Sequence, residues 1–233
     1  LHSFFTGTVD KLGDWFAIRP SNCLNVLDTH DGFGVIDAGP ISGRPGLISQ
    51  DDMAYIFERA AENTGGHSNI ASVVPQWFTL PHQINATLPN ILADDVAYVA
   101  SRAVQFFLPG EPQVYYVGLL NGMDDVKLFE ASGQGRDVNR HHYTPEEIAE
   151  ALATPVPQAI IALARLRKNP AFEGEFSWAQ TSTDSISLTW IHGSDSIALE
   201  VTTTVGAAAF RITVNSAEGA TVYSTVEELA VAR

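Results

Sequence analysis

Apolar residues recur at helical spacing through most of the chain, and near residue 170 the spacing gives way to strict alternation. Ser49 followed by Asp52 reads as an N-cap with an acidic first turn, and Met53, Ile56, Phe57 and Ala60 carry one apolar stripe to about Asn63. Gly65 and Gly66 stop it. Asp94 to Phe107 predicts a second helix, with Val96, Val99, Ala100, Ala103 and Phe106 on one broad face before Pro109-Gly110. Thr144, Pro145 and Glu147 combine a cap, a first-turn proline and an acid three residues after the cap. Thr154-Pro155 repeats part of that signal ahead of Ile160, Ile161, Leu163, Ala164 and Leu166.

Short apolar runs separate these helices. Leu24-Asn25-Val26-Leu27, bounded by Pro20 and Gly32, suits a buried parallel strand. Gln113-Val114-Tyr115-Tyr116-Val117-Gly118 carries the β-branched and aromatic residues of another. From residue 67 to 82 periodicity is lost among Ser68, Pro75, Trp77, Phe78, Thr79 and Pro81, which predicts a lid or binding loop. After Pro170, the runs 185–191, 196–201 and 209–214 alternate around Gly193 and Gly206, the pattern of a small antiparallel β domain. The expected organisation is therefore residues 1–170 and 171–233, with no internal repeat and no low-complexity tract.

Composition narrows the range of functions. In 233 residues, 45% hydrophobic content is ample for a packed core. Twenty-seven acidic residues against 13 basic ones give a formal charge of -14, which disfavours nucleic-acid backbones and anionic membranes as partners. Cys23 is the only cysteine, so intramolecular disulfides and thiolate metal clusters are excluded, and a reducing cytoplasm fits. No signal pattern follows Leu1 and no apolar stretch reaches the roughly 20 residues that span a bilayer. The start at Leu1 is expected to be a cut within a longer protein. Trp15, Trp77, Trp178 and Trp190 are scattered, as packing residues are, and adjacent His141-His142 do not converge on one ion, so no metal is expected.

Two junctions carry candidate chemistry. Leu27-Asp28-Thr29-His30-Asp31-Gly32-Phe33-Gly34 is an apolar run ending in adjacent imidazole and carboxylate groups and then glycines. Gly135-Arg136-Asp137-Val138-Asn139-Arg140-His141-His142-Tyr143 is a second polar cluster after another apolar segment. Two such strand-then-polar junctions suggest a sugar-type site at the rim of a β/α barrel, where active sites are assembled from loops after several strands.

Residues 25–34, 101–110 and 112–118, with Gly135-Arg136-Asp137 and Asn139-Arg140-His141, closely resemble the sucrose phosphorylases, a group within the α-amylase-like glycoside hydrolases of family 13. The resemblance runs over nearly all of residues 9 to 175 and weakly into the β domain. It implies an α/β fold, the C-terminal part of a (β/α)8 TIM barrel followed by a small antiparallel β domain, with strand seven at about 23–28 and strand eight at about 112–118. It implies retaining glucosyl transfer from sucrose to inorganic phosphate, giving α-D-glucose 1-phosphate and fructose, with no cofactor. The family's aspartate nucleophile and glutamate acid/base follow earlier strands and are not assignable here. The chain alone is then inactive, its first partner being the missing N-terminal barrel half, and the resemblance allows a homodimer.

The same resemblance implies the roles of individual residues. Asp31 would grip hydroxyls of the reacting glucosyl ring and favour its flattened, positively charged transition state, with His30 donating to the same ring. Arg136 would fix hydroxyls on the far side through its planar guanidinium, and Asp137 would orient it. Gln83, at the end of a mobile loop, would bridge the glucosyl site and incoming phosphate or fructose. Leu80-Pro81-His82-Gln83 departs from the group, in which an acidic residue, a leucine and a tyrosine precede the glutamine. Leu88-Pro89-Asn90 replaces a more aromatic segment. His82 is similar to a histidine of the sucrose 6′-phosphate phosphorylases, where it helps bind a phosphorylated fructose. The alternatives are thus sucrose 6′-phosphate phosphorylase or another glucoside phosphorylase of the same family, and a noncatalytic carbohydrate-binding fragment stands as the alternative of a different class.

Overall fold

The computed structural model describes every residue except Trp77, Phe78 and Arg233. Helices α1 (His2–Thr6) and α2 (Asp10–Ile18) precede strand β1 (Leu24–Val26). Helix α3 (Gln50–Asn63) starts at the expected cap: Ser49 Oγ accepts the Asp52 N–H at 3.0 Å, and the Asp52 carboxylate accepts the Ser49 N–H at 2.9 Å. Met53, Ile56, Phe57 and Ala60 are buried, and Gly65 and Gly66 turn the chain away at φ 63° and 89°, a region that strains other residues.

The aperiodic stretch begins with a single helical turn, α4 (His67–Ile70), and ends at α5 (Leu88–Leu92). The long helix α6 (Asp95–Phe107) is capped by the Asp94 carboxylate, which accepts the Ala97 N–H at 2.5 Å. Beyond its apolar stripe, α6 also buries Tyr98, Arg102 and Gln105.

Strand β2 (Glu111–Gln113) pairs in parallel with β1, Asn25 opposite Pro112. This corrects the expected strand over 113–118: pairing ends at Gln113, and residues 116–119 form the helical turn α7 (Tyr116–Leu119). A buried polar network takes the segment that β-propensity would extend. Tyr98 Oη donates to the Gly118 carbonyl at 2.5 Å, and a Cβ on Gly118 would lie 2.0 Å from Asp28 Oδ2 and 2.1 Å from Arg102 Nη2. The same network shortens the first strand, because Asp28 leaves the pairing line to meet Arg102.

After α8 (Val126–Ser132) come α9 (Pro145–Leu152) and α10 (Pro155–Leu166). Thr144 and Glu147 form the expected capping box, whereas the Thr154 hydroxyl donates backwards to the Ala151 carbonyl in the last turn of α9 and does not cap α10. No single helix among the described residues is long and apolar enough to cross a membrane.

The remaining chain is a five-stranded antiparallel meander, β3 (Glu175–Gln180), β4 (Ser185–His192), β5 (Asp195–Thr204), β6 (Ala207–Ser216) and β7 (Gly219–Tyr223), followed by α11 (Val226–Ala230). Alternation places Ile186, Leu188 and Trp190 of β4, Ile197, Leu199 and Val201 of β5, and Phe210 and Ile212 of β6 on the buried face. Leu188, Leu199 and Ile212 stand in one cross-strand row. That face packs into the same apolar cluster as Phe5, Ala100, Ile160 and Leu163, so one continuous core crosses residue 170. The Trp190 indole closes it with a hydrogen bond to the Phe107 carbonyl at 2.6 Å.

Candidate active site

The site is built outward from α6. Arg102 is fully buried, and its Nη2 donates to Asp28 Oδ2 at 2.5 Å and to Tyr98 Oη at 2.7 Å. Its Nη1 donates to Gln105 Oε1 at 3.0 Å. Gln105 in turn donates to the Asn25 carbonyl at 2.7 Å and the Gln113 carbonyl at 2.8 Å, tying both parallel strands to the helix. Burial works against the Arg102 charge, but Tyr98 and Asp28 outweigh it and raise its pKa; burial also pushes the Tyr98 phenol up. Breaking a buried pair of this kind is costly because one charge is left without a partner. Asp28 therefore fixes the point at which Thr29 to Phe33 leave the end of β1.

Asp31 lies at the centre of the charged groups that follow. Its Oδ1 is 3.1 Å from Arg136 Nη1, 3.4 Å from Arg140 Nη2 and 3.6 Å from His30 Nε2. Arg140 also donates through Nε to the His30 carbonyl at 3.1 Å and through Nη1 to Asp137 Oδ1 at 3.3 Å. Asn139 Nδ2 holds the Asp31 carbonyl at 3.2 Å. The side chains of His30, Asp31 and Arg136 are 62%, 37% and 53% exposed. Ion pairs this open contribute little to stability, so the cluster is a set of donors and acceptors within reach of a ligand. His30, Asp31 and Arg136 stand out in the sequence, whereas Arg140 has no signal there beyond its place in the Asn139-Arg140-His141 block.

A third segment closes on these two. Phe33 and Ile84 exchange backbone hydrogen bonds at 2.8 and 2.9 Å, which lays residues 83–85 beside Gly32. A Cβ on Gly32 would be 2.9 Å from Gln83 Cδ, so the Gln83 amide sits one residue away from Asp31. Gln83 Nε2 donates to Asn85 Oδ1 at 2.8 Å, and Asn85 Nδ2 donates to the Ala71 carbonyl at 2.6 Å. Leu80 and Pro81 are half-buried, Leu80 against the core cluster. His82 is exposed, held by its backbone N–H to the Val73 carbonyl at 2.9 Å, and its ring makes no hydrogen bond among the described residues. Trp77 and Phe78 of this loop lie outside the described residues.

Two adjacent aspartates hold the outer edge of the rim. The Asp124 side chain is buried and accepts from His67 Nε2 at 2.5 Å, the Thr87 N–H at 2.5 Å and Asn90 Nδ2 at 3.0 Å; burial pushes its carboxyl up. Asp125 faces His141 Nδ1 at 2.7 Å. Burial would raise it, but the hydrogen bonds from His141 and the Leu128 N–H prevail and hold it below the usual range. The other ring nitrogen of His141 is 3.5 Å from Glu147. Among the described residues no three His, Cys, Asp or Glu side chains are arranged to hold a metal ion.

Exposed carboxylate, imidazole and guanidinium groups within 3.6 Å of one another, with an amide beside them, suit the many hydroxyls of a sugar, and comparison with known proteins gives the class. No family model matches the chain. It is 44% identical over 193 residues to a sucrose phosphorylase of Agrobacterium vitis, an alignment covering 82% of this chain and 40% of that protein. It is 37% identical over 201 residues to a glucosylglycerol phosphorylase of Marinobacter adhaerens, covering 83% and 40%. Its fold matches the crystal structure of sucrose 6F-phosphate phosphorylase from Thermoanaerobacter thermosaccharolyticum with a TM-score of 0.80 at 31% identity, covering 94% of this chain and 44% of that one. The chain is homologous to the glucoside phosphorylases of glycoside hydrolase family 13. Within that class its relatives include the sucrose phosphorylases, and it spans about 40% of the length of the curated relatives it matches.

Proposed function

We propose that the protein to which this chain belongs transfers a glucosyl group from sucrose to inorganic phosphate with retention, releasing fructose and α-D-glucose 1-phosphate. The observation that carries this reading is the open Asp31 carboxylate, bracketed by His30, Arg136 and Arg140, with the Gln83 amide one residue away. Asp31 accepts from hydroxyls of the glucosyl ring as it flattens, and the arginines and His30 donate to the remaining ring oxygens. Retention requires a carboxylate nucleophile and an opposed acid/base roughly 5 to 5.5 Å apart. The nucleophile bonds to the anomeric carbon as the bond to fructose breaks, and the acid protonates the departing oxygen. A phosphate oxygen then displaces the nucleophile, and the proton leaving the phosphate returns to the acid/base.

In this proposal both carboxylates come from a barrel half outside this chain, packed against β1. The surface it would cover is apolar: Leu24 and Val26 are 62% and 45% exposed beside a cavity of about 270 Å³ lined by Trp15, Leu27, Val104 and Leu108. Phosphate enters as substrate, and neither metal nor organic cofactor takes part.

The exposed His82 favours a second reading. A protonated imidazole directly before Gln83 attracts the phosphate of sucrose 6′-phosphate, where a tyrosine offers a neutral hydroxyl. The full-length protein should be assayed for glucose 1-phosphate release from sucrose and from sucrose 6′-phosphate, and again as His82→Tyr. Efficient sucrose phosphorolysis by both forms supports the first reading. A preference for the phosphorylated sugar that collapses in the variant supports the second. Product from glucosylglycerol but from neither sucrose donor would make it another glucoside phosphorylase of the same family, and saturable sugar binding with no product from any of the three would leave a noncatalytic carbohydrate-binding protein.

A further inference from the structure

One buried amide touches all three segments of the site. Asn85 is 4% exposed, and both ends of its side chain are engaged, Nδ2 by the Ala71 carbonyl and Oδ1 by Gln83 Nε2. Two glycines press against it. A Cβ on Gly32, the residue after Asp31, would lie 2.4 Å from Asn85 Oδ1. A Cβ on Gly135, the residue before Arg136, would lie 2.8 Å from Asn85 Nδ2 and 1.9 Å from the Ala71 oxygen.

We infer that Asn85 is a positioning residue that sets which end of the Gln83 amide faces the substrate. The inference rests on the glucosyl-transfer reading above. A glutamine amide can turn over and exchange its donor and acceptor ends, and an open site offers nothing to choose between them. Here the choice is made from inside. The Ala71 carbonyl can only accept, so Asn85 must turn its NH2 toward it and its Oδ1 toward Gln83. Gln83 must then answer with Nε2. Its Oε1, with no hydrogen bond among the described residues, is left as an acceptor for a sugar hydroxyl or a protonated phosphate oxygen. Turning over either amide would set like against like in a buried place, a loss on the scale of about 1–3 kcal/mol for each unmade bond. The order thus runs from the main chain at Ala71, through Asn85, to the atom that meets the acceptor.

Such a residue governs how the glucosyl-enzyme divides between phosphate and water. The ratio of glucose 1-phosphate to glucose formed at fixed phosphate reads this directly, because it does not depend on how much of a preparation is active. In the full-length enzyme, with whichever of sucrose or sucrose 6′-phosphate the wild type uses, Asn85→Ala should lower the ratio about tenfold, the effect of roughly one buried hydrogen bond. Gln83→Ala should lower it too, and the double variant no further than the more affected single one, because both act through one path. Asn85→Asp can only accept, so Gln83 must still answer with Nε2 and the ratio should stay within about threefold of wild type, although the second carboxylate oxygen against the Ala71 carbonyl lowers stability. Asn85→Ser carries the same expectation as Asn85→Ala if the alanine form is not recovered folded. A merely structural asparagine would lower both products together and leave the ratio unchanged; that result, or additive losses in the double variant, overturns the inference. A wild type that forms neither product from sucrose, sucrose 6′-phosphate or glucosylglycerol overturns the glucosyl-transfer reading and this inference with it.

Discussion

In the sheet β3–β7 every strand hydrogen-bonds its neighbour in sequence, whereas the segments that meet at the rim, 28–34, 71–85 and 135–140, lie far apart in the chain. The sheet is held by rows of interchangeable apolar side chains such as Leu188, Leu199 and Ile212. The rim is held by a few polar atoms, several of them shared, as Asp31 Oδ1 is among Arg136, Arg140 and His30 and Arg102 Nη2 is between Asp28 and Tyr98. Damage to the sheet should therefore spread through stability alone. Damage to the rim should divide according to burial, with the inner ring costing stability and the outer ring costing chemistry.

The largest effect should come from the inner ring. Asp28→Ala leaves the fully buried Arg102 charged without its carboxylate, and should destabilise by about 3–5 kcal/mol in urea unfolding. A loss below about 1 kcal/mol would show that Tyr98 and Gln105 suffice, and would remove the inner ring from the comparison. Leu199→Ala in the sheet should cost about 2–5 kcal/mol by the same measurement, with the proposed turnover per folded molecule unchanged in the full-length protein. Altered turnover would show that the sheet and the rim are coupled. Asp31→Asn should do the reverse, lowering turnover by about two orders of magnitude or more while shifting unfolding by no more than about 0.5 kcal/mol. Near-normal phosphorolysis by that variant would remove Asp31 from the chemistry.

The smallest expected effect concerns acid. The Glu147 carboxyl is held below the usual range by the Thr144 N–H and hydroxyl. A depressed carboxyl contributes stability that is present above its unfolded value of about 4.3 and is lost as pH falls through the folded value. Melting temperatures of wild type and Glu147→Gln should differ by about 1–2 °C at neutral pH and converge in acid. A constant gap at all pH values would assign the difference to packing.

What the sequence makes legible follows the same division. The caps at Ser49 and Thr144, the stripe Met53–Ile56–Phe57–Ala60 and the alternation of β4 to β6 are short-range patterns, and the structure repeats them nearly residue for residue. The pattern seen at Thr144 also stands at Thr225 and Glu228, where α11 begins, but five residues are too few to display a stripe. Local composition with the family blocks brings out His30, Asp31, Arg136 and Gln83. It gives Arg102 a place in the 101–110 block but no role, because periodicity assigns an arginine to the solvent side and its carboxylate partner is 74 residues away. It is silent on Asn85 for a related reason: an asparagine in a loop reads as a turn former until two distant glycines are seen to press against it. The strand expected through Gly118 fails for the same cause, since Tyr115 and Tyr116 favour extension locally while Tyr98, Asp28 and Arg102 claim the glycine beyond them.

The two hydrogen bonds of Gln105 also bear on the order in which the chain can assemble. One of them reaches the Asn25 carbonyl, 80 residues away, and the other reaches Gln113, only eight away. The entropic cost of closing a loop grows with its length, and non-local pairing is correspondingly slow. The meander β3–β7 can zip through tight turns as soon as its residues are available, and α6 can gather β2 on its own. β1 must wait, because its place beside β2 exists only after Gln105 has a helix to project from. The parallel pair that carries the Asp31 loop should therefore be among the last parts of this chain to acquire native hydrogen-exchange protection during refolding, after the antiparallel sheet has already become protected.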